Sequence, residues 1–181
     1  MKEVFLKITI NFAARALLSG VLACCGTATA GQMAGGHAAE LGGITIRLSQ
    51  FPSRAVTLKN GEYREPVAPG SATEMIVKLT DKRAFGKVNG REAAAIIIIN
   101  DAGGSGTFSD LALLLKRPVG WVNIDTVLLG DRVMVHDVSI KKDEILVTLK
   151  AHGPGDALCC PTKEQTIRFR VISDHLVAQK D

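Results

Sequence analysis

Apolar residues recur at every second position through much of the chain. Ile145, Val147 and Leu149 share one phase, and Ile167, Phe169 and Val171 repeat it. A period of two puts each set on one face of a half-buried strand. The same pattern predicts strands at residues 44–48 and 75–79, and a last strand over 175–178 entered through Ser173-Asp174. Residues 133–140 and 145–149 flank the polar Lys141-Lys142-Asp143-Glu144 and predict a hairpin. Residues 93–99 end in four consecutive isoleucines. That β-branched run is too short to span a membrane and suits a strand buried on both faces. Asn60-Gly61 lies between residues 56–59 and Glu62-Tyr63-Arg64. Both residues accept positive φ, so the pair predicts a tight hairpin turn.

One segment admits two readings. Thr107 and Asp110 could form a capping box that opens a helix over 107–117. The strands on either side favour another buried strand, stopped by Pro118. The expected fold is mainly β: a single domain of antiparallel strands and hairpins over residues 44–181. An α+β arrangement with one helix around 107–117 is the alternative. No internal repeat of solenoid or propeller length occurs.

The N-terminus reads as an export signal. Lys2, Lys7 and Arg15 precede the apolar run Ala16 to Ala23, and Ala28-Thr29-Ala30 offers small residues for cleavage before Gly31. A second route competes, because Val21-Leu22-Ala23-Cys24 resembles a bacterial lipobox in which Cys24 is lipidated. Either route gives an exported protein in an oxidising compartment: periplasmic or secreted, or else an outer-membrane lipoprotein attached only through its lipid. Residues 31–43 are small and glycine-rich and predict a flexible tether.

Composition narrows the classes further. The chain has 181 residues, 46% hydrophobic, 22% charged and 4% aromatic. Apolar content this high excludes disorder as the main state, and no run of about 20 uncharged apolar residues follows the leader. Beyond residue 30 there are 19 Lys and Arg against 17 Asp and Glu, a net charge of only +2. Phe51, Tyr63, Phe85, Phe108, Trp121 and Phe169 are dispersed rather than interleaved with basic clusters. Stacking platforms in basic grooves mark single-stranded nucleic-acid binders, so no nucleic-acid partner is expected.

The chemically unusual segment is His152-Gly-Pro-Gly-Asp156-Ala-Leu-Cys159-Cys160-Pro161-Thr162. Once the leader is removed, Cys159 and Cys160 are the only thiols. Adjacent cysteines in an oxidising compartment can form a vicinal disulfide, pair between molecules, bind metal as thiolates, or stay reduced in a buried site. The vicinal disulfide is the expected state, in a turn shaped by Pro161 and Gly153-Pro154-Gly155. His136 and His152 fall in the two arms of one hairpin and, with Cys159 and Cys160, make a candidate copper or zinc set. The remaining histidines are His37, in the tether, and His175.

Two further stretches read as architecture. Asn100-Asp101-Ala102-Gly103-Gly104-Ser105-Gly106-Thr107 lacks the Lys-Ser/Thr of a phosphate loop and the glycine spacing of a nucleophile elbow. Leu129-Gly130-Asp131-Arg132 is a compact charged turn in which aspartate accepts backbone N–H groups and arginine braces it.

Taken together, Gly103-Gly-Ser-Gly-Thr-Phe108, Leu129-Gly-Asp-Arg132 and His152-Gly-Pro-Gly-Asp156…Cys159-Cys-Pro-Thr162 resemble an uncharacterised family of exported bacterial envelope domains, over about residues 55–172. The resemblance implies an exported β-rich domain and no particular activity. It also implies a departure. Where the family carries an aspartate-rich loop like a calcium site, this chain has Gly86-Lys87-Val88-Asn89-Gly90-Arg91-Glu92. Lys87 and Arg91 would repel a hard cation, so no calcium is expected there.

The functional expectation is a non-catalytic envelope domain that binds an envelope protein, a cell-wall component or a small ligand. No cofactor is expected. The binding candidates are His152, Asp156, Cys159, Cys160, Asp131 and Arg132. The alternative is a metal- or thiol-handling protein centred on the Cys159-Cys160 loop.

Overall fold

The computed structural model describes residues 40–179. The leader, Cys24, His37 and most of the glycine-rich stretch lie outside them. The described chain is built from antiparallel strands: β1 (Thr45–Arg47), β2 (Ala55–Thr57), β3 (Glu62–Pro66), β4 (Glu74–Val88), β5 (Arg91–Asp101), β6 (Phe108–Arg117), β7 (Gly120–Asp131), β8 (Met134–Lys141), β9 (Glu144–Ala151), β10 (Lys163–Ile172) and β11 (His175–Gln179). They form a five-stranded meander β3-β4-β5-β6-β7, a four-stranded meander β11-β10-β9-β8, and the two-stranded β1-β2.

The five-stranded sheet is the middle layer, because both faces of β5 and β6 are apolar. On one face Ala93, Ala95, Ile97, Leu111, Leu113 and Leu115 pack with Ile145, Val147, Leu149, Phe169 and Val171 of the four-stranded sheet. On the other, Ala94, Ile96, Ile98, Ala112 and Leu114 pack beneath Leu41, Ile46, Leu48, Val56 and Leu58. The isoleucine run thus feeds two cores in alternation, as a strand buried on both faces must.

Strand β7 ties the outer layers to the middle one. A bulge opposite Leu113 and Leu114 leaves Asp125 paired with Leu113 but Asn123 paired with Leu114. Directly paired residues share a face, so the extra residue turns Asn123 and Asp125 to opposite sides. Asn123 Oδ1 accepts the Arg47 N–H of β1 at 3.0 Å. Asp125 Oδ2 accepts the Leu176 N–H of β11 at 2.7 Å. Two side chains of one strand therefore cap an edge of each outer layer.

Several sequence expectations hold and several are corrected. The fold is mainly β, and residues 107–117 form strand β6 rather than a helix. Asp110 points into the core with Ala112 and Leu114 instead of capping anything. Asn60 and Gly61 do make the turn, with φ of 54° and 83° and a bridge between Lys59 and Glu62. No hairpin grows from it: β2 pairs with β1, while β3 pairs with β4. Val56 and Leu58 are drawn into the core under β1, so the chain parts after one bridge. The glycine-rich stretch is already packed at its end, where Leu41 is fully buried and the Gly61 N–H donates to the Gly42 carbonyl at 2.8 Å.

The two ends of the molecule differ. At one end the strands are joined by two-residue turns: Asn89-Gly90, Lys142-Asp143 and Ser173-Asp174, all at positive φ. That is the hairpin geometry whose twist matches its strands. Arg91 pairs with Asp174 across this end at 2.5 Å, and Asp143 Oδ1 accepts the Asn89 N–H at 2.8 Å. The 86–92 segment is thus a tight turn flanked by an ion pair. At the opposite end the connections are longer, and all three sequence motifs fall there.

Candidate functional site: the loop end of the sandwich

The β5–β6 and β7–β8 connections are locked together. Phe108 pairs with Asp131 in the β6–β7 ladder. Thr107 donates its N–H to Asp131 Oδ1 at 2.9 Å, and its carbonyl accepts the Arg132 N–H at 2.7 Å. Arg132, at φ 49°, turns its guanidinium back to Asp131 Oδ2 at 2.9 Å. Asp131 and Arg132 therefore spend their polar atoms on architecture. The β5–β6 glycines continue the packing: Asp101 Oδ1 accepts the Gly103 N–H at 2.9 Å, and a Cβ on Gly103 would come within 2.6 Å of Val67 and 2.8 Å of Thr73 in the β3–β4 loop.

The β9–β10 connection leaves Ala151 and returns at Lys163, which pair with each other at the base of the loop. Asp156 is its staple. Its carboxylate accepts the Gly153 N–H at 2.7 Å, the Thr162 N–H at 2.8 Å and the Thr162 hydroxyl at 2.9 Å. These bonds, with backbone donors foremost and the nearby His152 adding a little, hold the Asp156 carboxyl below the ordinary aspartate range. A depressed carboxylate stabilises the fold above its unfolded pKa, and the gain is lost as pH falls through the folded one. We expect the Thr162 amide resonance to titrate below about pH 4, the ordinary aspartate value. A midpoint at or above that value would contradict the staple, and Asp156→Asn should remove the titration.

Cys159 and Cys160 lie beyond the staple, on the rim. Their sulfurs are at disulfide distance, both residues are exposed, and Leu158 beside them is 70% exposed. The Cys160 N–H donates to the Ala157 carbonyl at 2.9 Å, and Pro161 is buried. The loop is thus anchored by Asp156 and Pro161 independently of the sulfur bond. A ring across one peptide bond gains little from chain entropy, whose contribution grows with loop length. Changing both cysteines to serine should leave the melting temperature within a few degrees, about the effect of a neutral surface change. A collapse of the fold would show the bond to be structural.

The candidate metal set does not assemble across the hairpin. His136 is the bulge residue between Val135 and Asp137 and is exposed, whereas Met134 already faces Lys150. His152 lies beyond the end of β9, so the two rings do not oppose one another. Both His152 ring nitrogens are buried without a hydrogen-bond partner. Among the described residues no group of three or more His, Cys, Asp or Glu is disposed to hold a metal ion.

Sequence reasoning missed a polar group under the β1–β2 loop. Asp110 is fully buried on β6, where burial raises its pKa against the opposing hydrogen bonds of Ser49. The Ser49 hydroxyl donates to Asp110 Oδ1 at 2.6 Å. The signal was present: on a strand, Asp110 shares the inward phase of Ala112 and Leu114. Reading it as a helix cap hid that phase.

No significant match was found to any protein-family model, curated protein or solved structure.

Proposed function

We propose that this chain is an exported, non-catalytic envelope domain that recognises its partner with the loop end of the sandwich. The observation that carries the reading is the convergence of three separated motifs on one end, two of them bonded through Thr107, Asp131 and Arg132. Their polar groups brace loops rather than present an acid, a base or a nucleophile. What they hold up is a rigid rim bearing Leu158 and the cysteine pair. This agrees with the resemblance to exported β-rich envelope domains. The partner is an envelope protein, a cell-wall component or a small ligand.

Two exposed apolar residues at opposite ends give the test. Leu158 is on the rim, and Val119, 88% exposed, is in the β6–β7 turn at the far end. Binding of the mature chain to isolated envelope fractions should be lost in Leu158→Asp and kept in Val119→Asp. Equal retention, or loss only at Val119, would overturn the assignment.

A second reading, thiol or soft-metal handling, is favoured by the exposure of both cysteines. It requires the sulfur bond to open, since only thiolates bind metal. Alkylation of the native exported protein should label no thiol before reduction and two after it. Two labelled thiols together with stoichiometric copper or zinc would make this reading the primary one.

A further inference from the structure

The polar group around Asp110 stands apart from the motif loops in its chemistry. A buried carboxylate is ordinarily paired with a cation, well hydrogen-bonded, or neutral. Asp110 has the Ser49 hydroxyl at 2.6 Å and the Ser49 N–H at a long 3.4 Å, and no basic side chain among the described residues acts on it. Asn100 is a second anomaly: it is fully buried, and neither atom of its amide has a partner. Ile98 is opposite Asp110 and Asn100 opposite Phe108, so Asn100 is the diagonal neighbour of Asp110 on the same face. Gln50, next to Ser49, adds a buried Nε2 without a partner.

A cavity of about 140 Å³ lies one row further along that face, lined among others by Phe51, Val67, Met75 and Ala102. Ala102 is two residues beyond Asn100, and Met75 is two before Val77, the register partner of Asn100. An apolar passage therefore adjoins a floor that offers a carboxylate, an amide oxygen and a hydroxyl.

We propose that this pocket binds the ammonium end of a primary alkylamine, with Asp110, Asn100 Oδ1 and Ser49 Oγ as acceptors and the alkyl stem against Phe51, Val67 and Met75. An ammonium is a compact cation with three donors, which matches three acceptors. A neutral ligand would leave the carboxylate uncompensated. A bare hard metal ion needs six or more oxygens, and the apolar walls supply none. Entry is past residues 49–54, a short connection closed by the Leu48 N–H to the Arg54 carbonyl at 3.1 Å. The amine is a free small molecule or the lysine side chain of a partner.

The test uses the full mature chain, with n-butylammonium as probe and n-butanol, ammonium and calcium salts beside it. Saturating butylammonium should raise the melting temperature by roughly 5 °C and shift the Asn100 side-chain amide resonances. Butanol, ammonium and calcium should not. Asp110→Asn should abolish both effects; should it fail to fold, Asn100→Leu takes its place. A terminally blocked lysine tripeptide separates the sources: tighter binding than butylammonium assigns a peptide partner, weaker binding a free amine. The proposal is overturned if butylammonium leaves wild type unchanged, the mark of a floor satisfied by ordered water alone. It is equally overturned if butanol or calcium acts as well, or if the variant responds like wild type.

Discussion

Replacing Ile96 by alanine and, separately, Ile97 by alanine is expected to destabilise the fold by about 2–5 kcal/mol in each case. In a strand with one buried face, neighbouring positions behave oppositely: one is costly and the next tolerant. Here both side chains have essentially no exposed surface, Ile97 against the four-stranded sheet and Ile96 under the β1–β2 layer. Each truncation removes buried methyl and methylene groups and leaves a cavity between two sheets that cannot readily close. The expected loss is a large share of the roughly 5–15 kcal/mol that holds a typical domain folded. Urea unfolding of both variants is the measurement. A tolerant Ile96→Ala would mean that the β1–β2 layer is not seated on the central sheet, and a tolerant Ile97→Ala would say the same of the four-stranded sheet.

Gly103→Ala should cost about 1–3 kcal/mol, although it adds a single methyl group near the surface. Gly103 has φ of 78°, where an L side chain is strained. The added Cβ would also meet Val67 at 2.6 Å, Thr73 at 2.8 Å and the Glu74 carbonyl at 3.1 Å. The last of these is backbone and cannot rotate away, so the β3–β4 and β5–β6 loops must move apart. Gly104→Ala is the matched control: the space around it is open and its φ is ordinary, so the change should stay within about 0.5 kcal/mol. Amide chemical shifts should move around Val67, Thr73 and Thr107 in the first variant and not at the turn end. Equal stabilities for the two variants would contradict the packing of the motif end.

Much of the fold was legible because period two is a local property. Strands β9, β10 and β11 could be read from Ile145-Val147-Leu149, Ile167-Phe169-Val171 and the Ser173-Asp174 turn, since one face of each is buried and the other wet. Strand β7 was not legible. Its residues are mostly half-buried, so no clean alternation marks it, and its bulge breaks the phase midway. The continuation of β4 to Val88 was hidden for the same reason: the ladder slips between Leu79 and Arg83.

The candidate site divides along the same line. The cysteine pair and the Asp156 loop stand out by composition alone, since glycine, proline and adjacent cysteines announce an irregular connection. The opposition of His136 and His152 could not be read, because one bulge residue in β8 decides where each histidine falls. Likewise nothing local separates Asp110 from an N-cap; only the neighbouring layer makes it a buried acid.

By itself the sequence determined the β class, the tight turns at Asn60-Gly61 and Asn89-Gly90, the doubly buried isoleucine strand and the cysteine loop. Each is fixed by side-chain shape, alternation or permitted φ over a few residues. Tertiary structure alone decided which strands pair, that β2 and β3 part company after their turn, and that three distant motifs share one end. Those outcomes depend on which apolar faces find each other across the layers, a non-local free energy of burial that no short window contains.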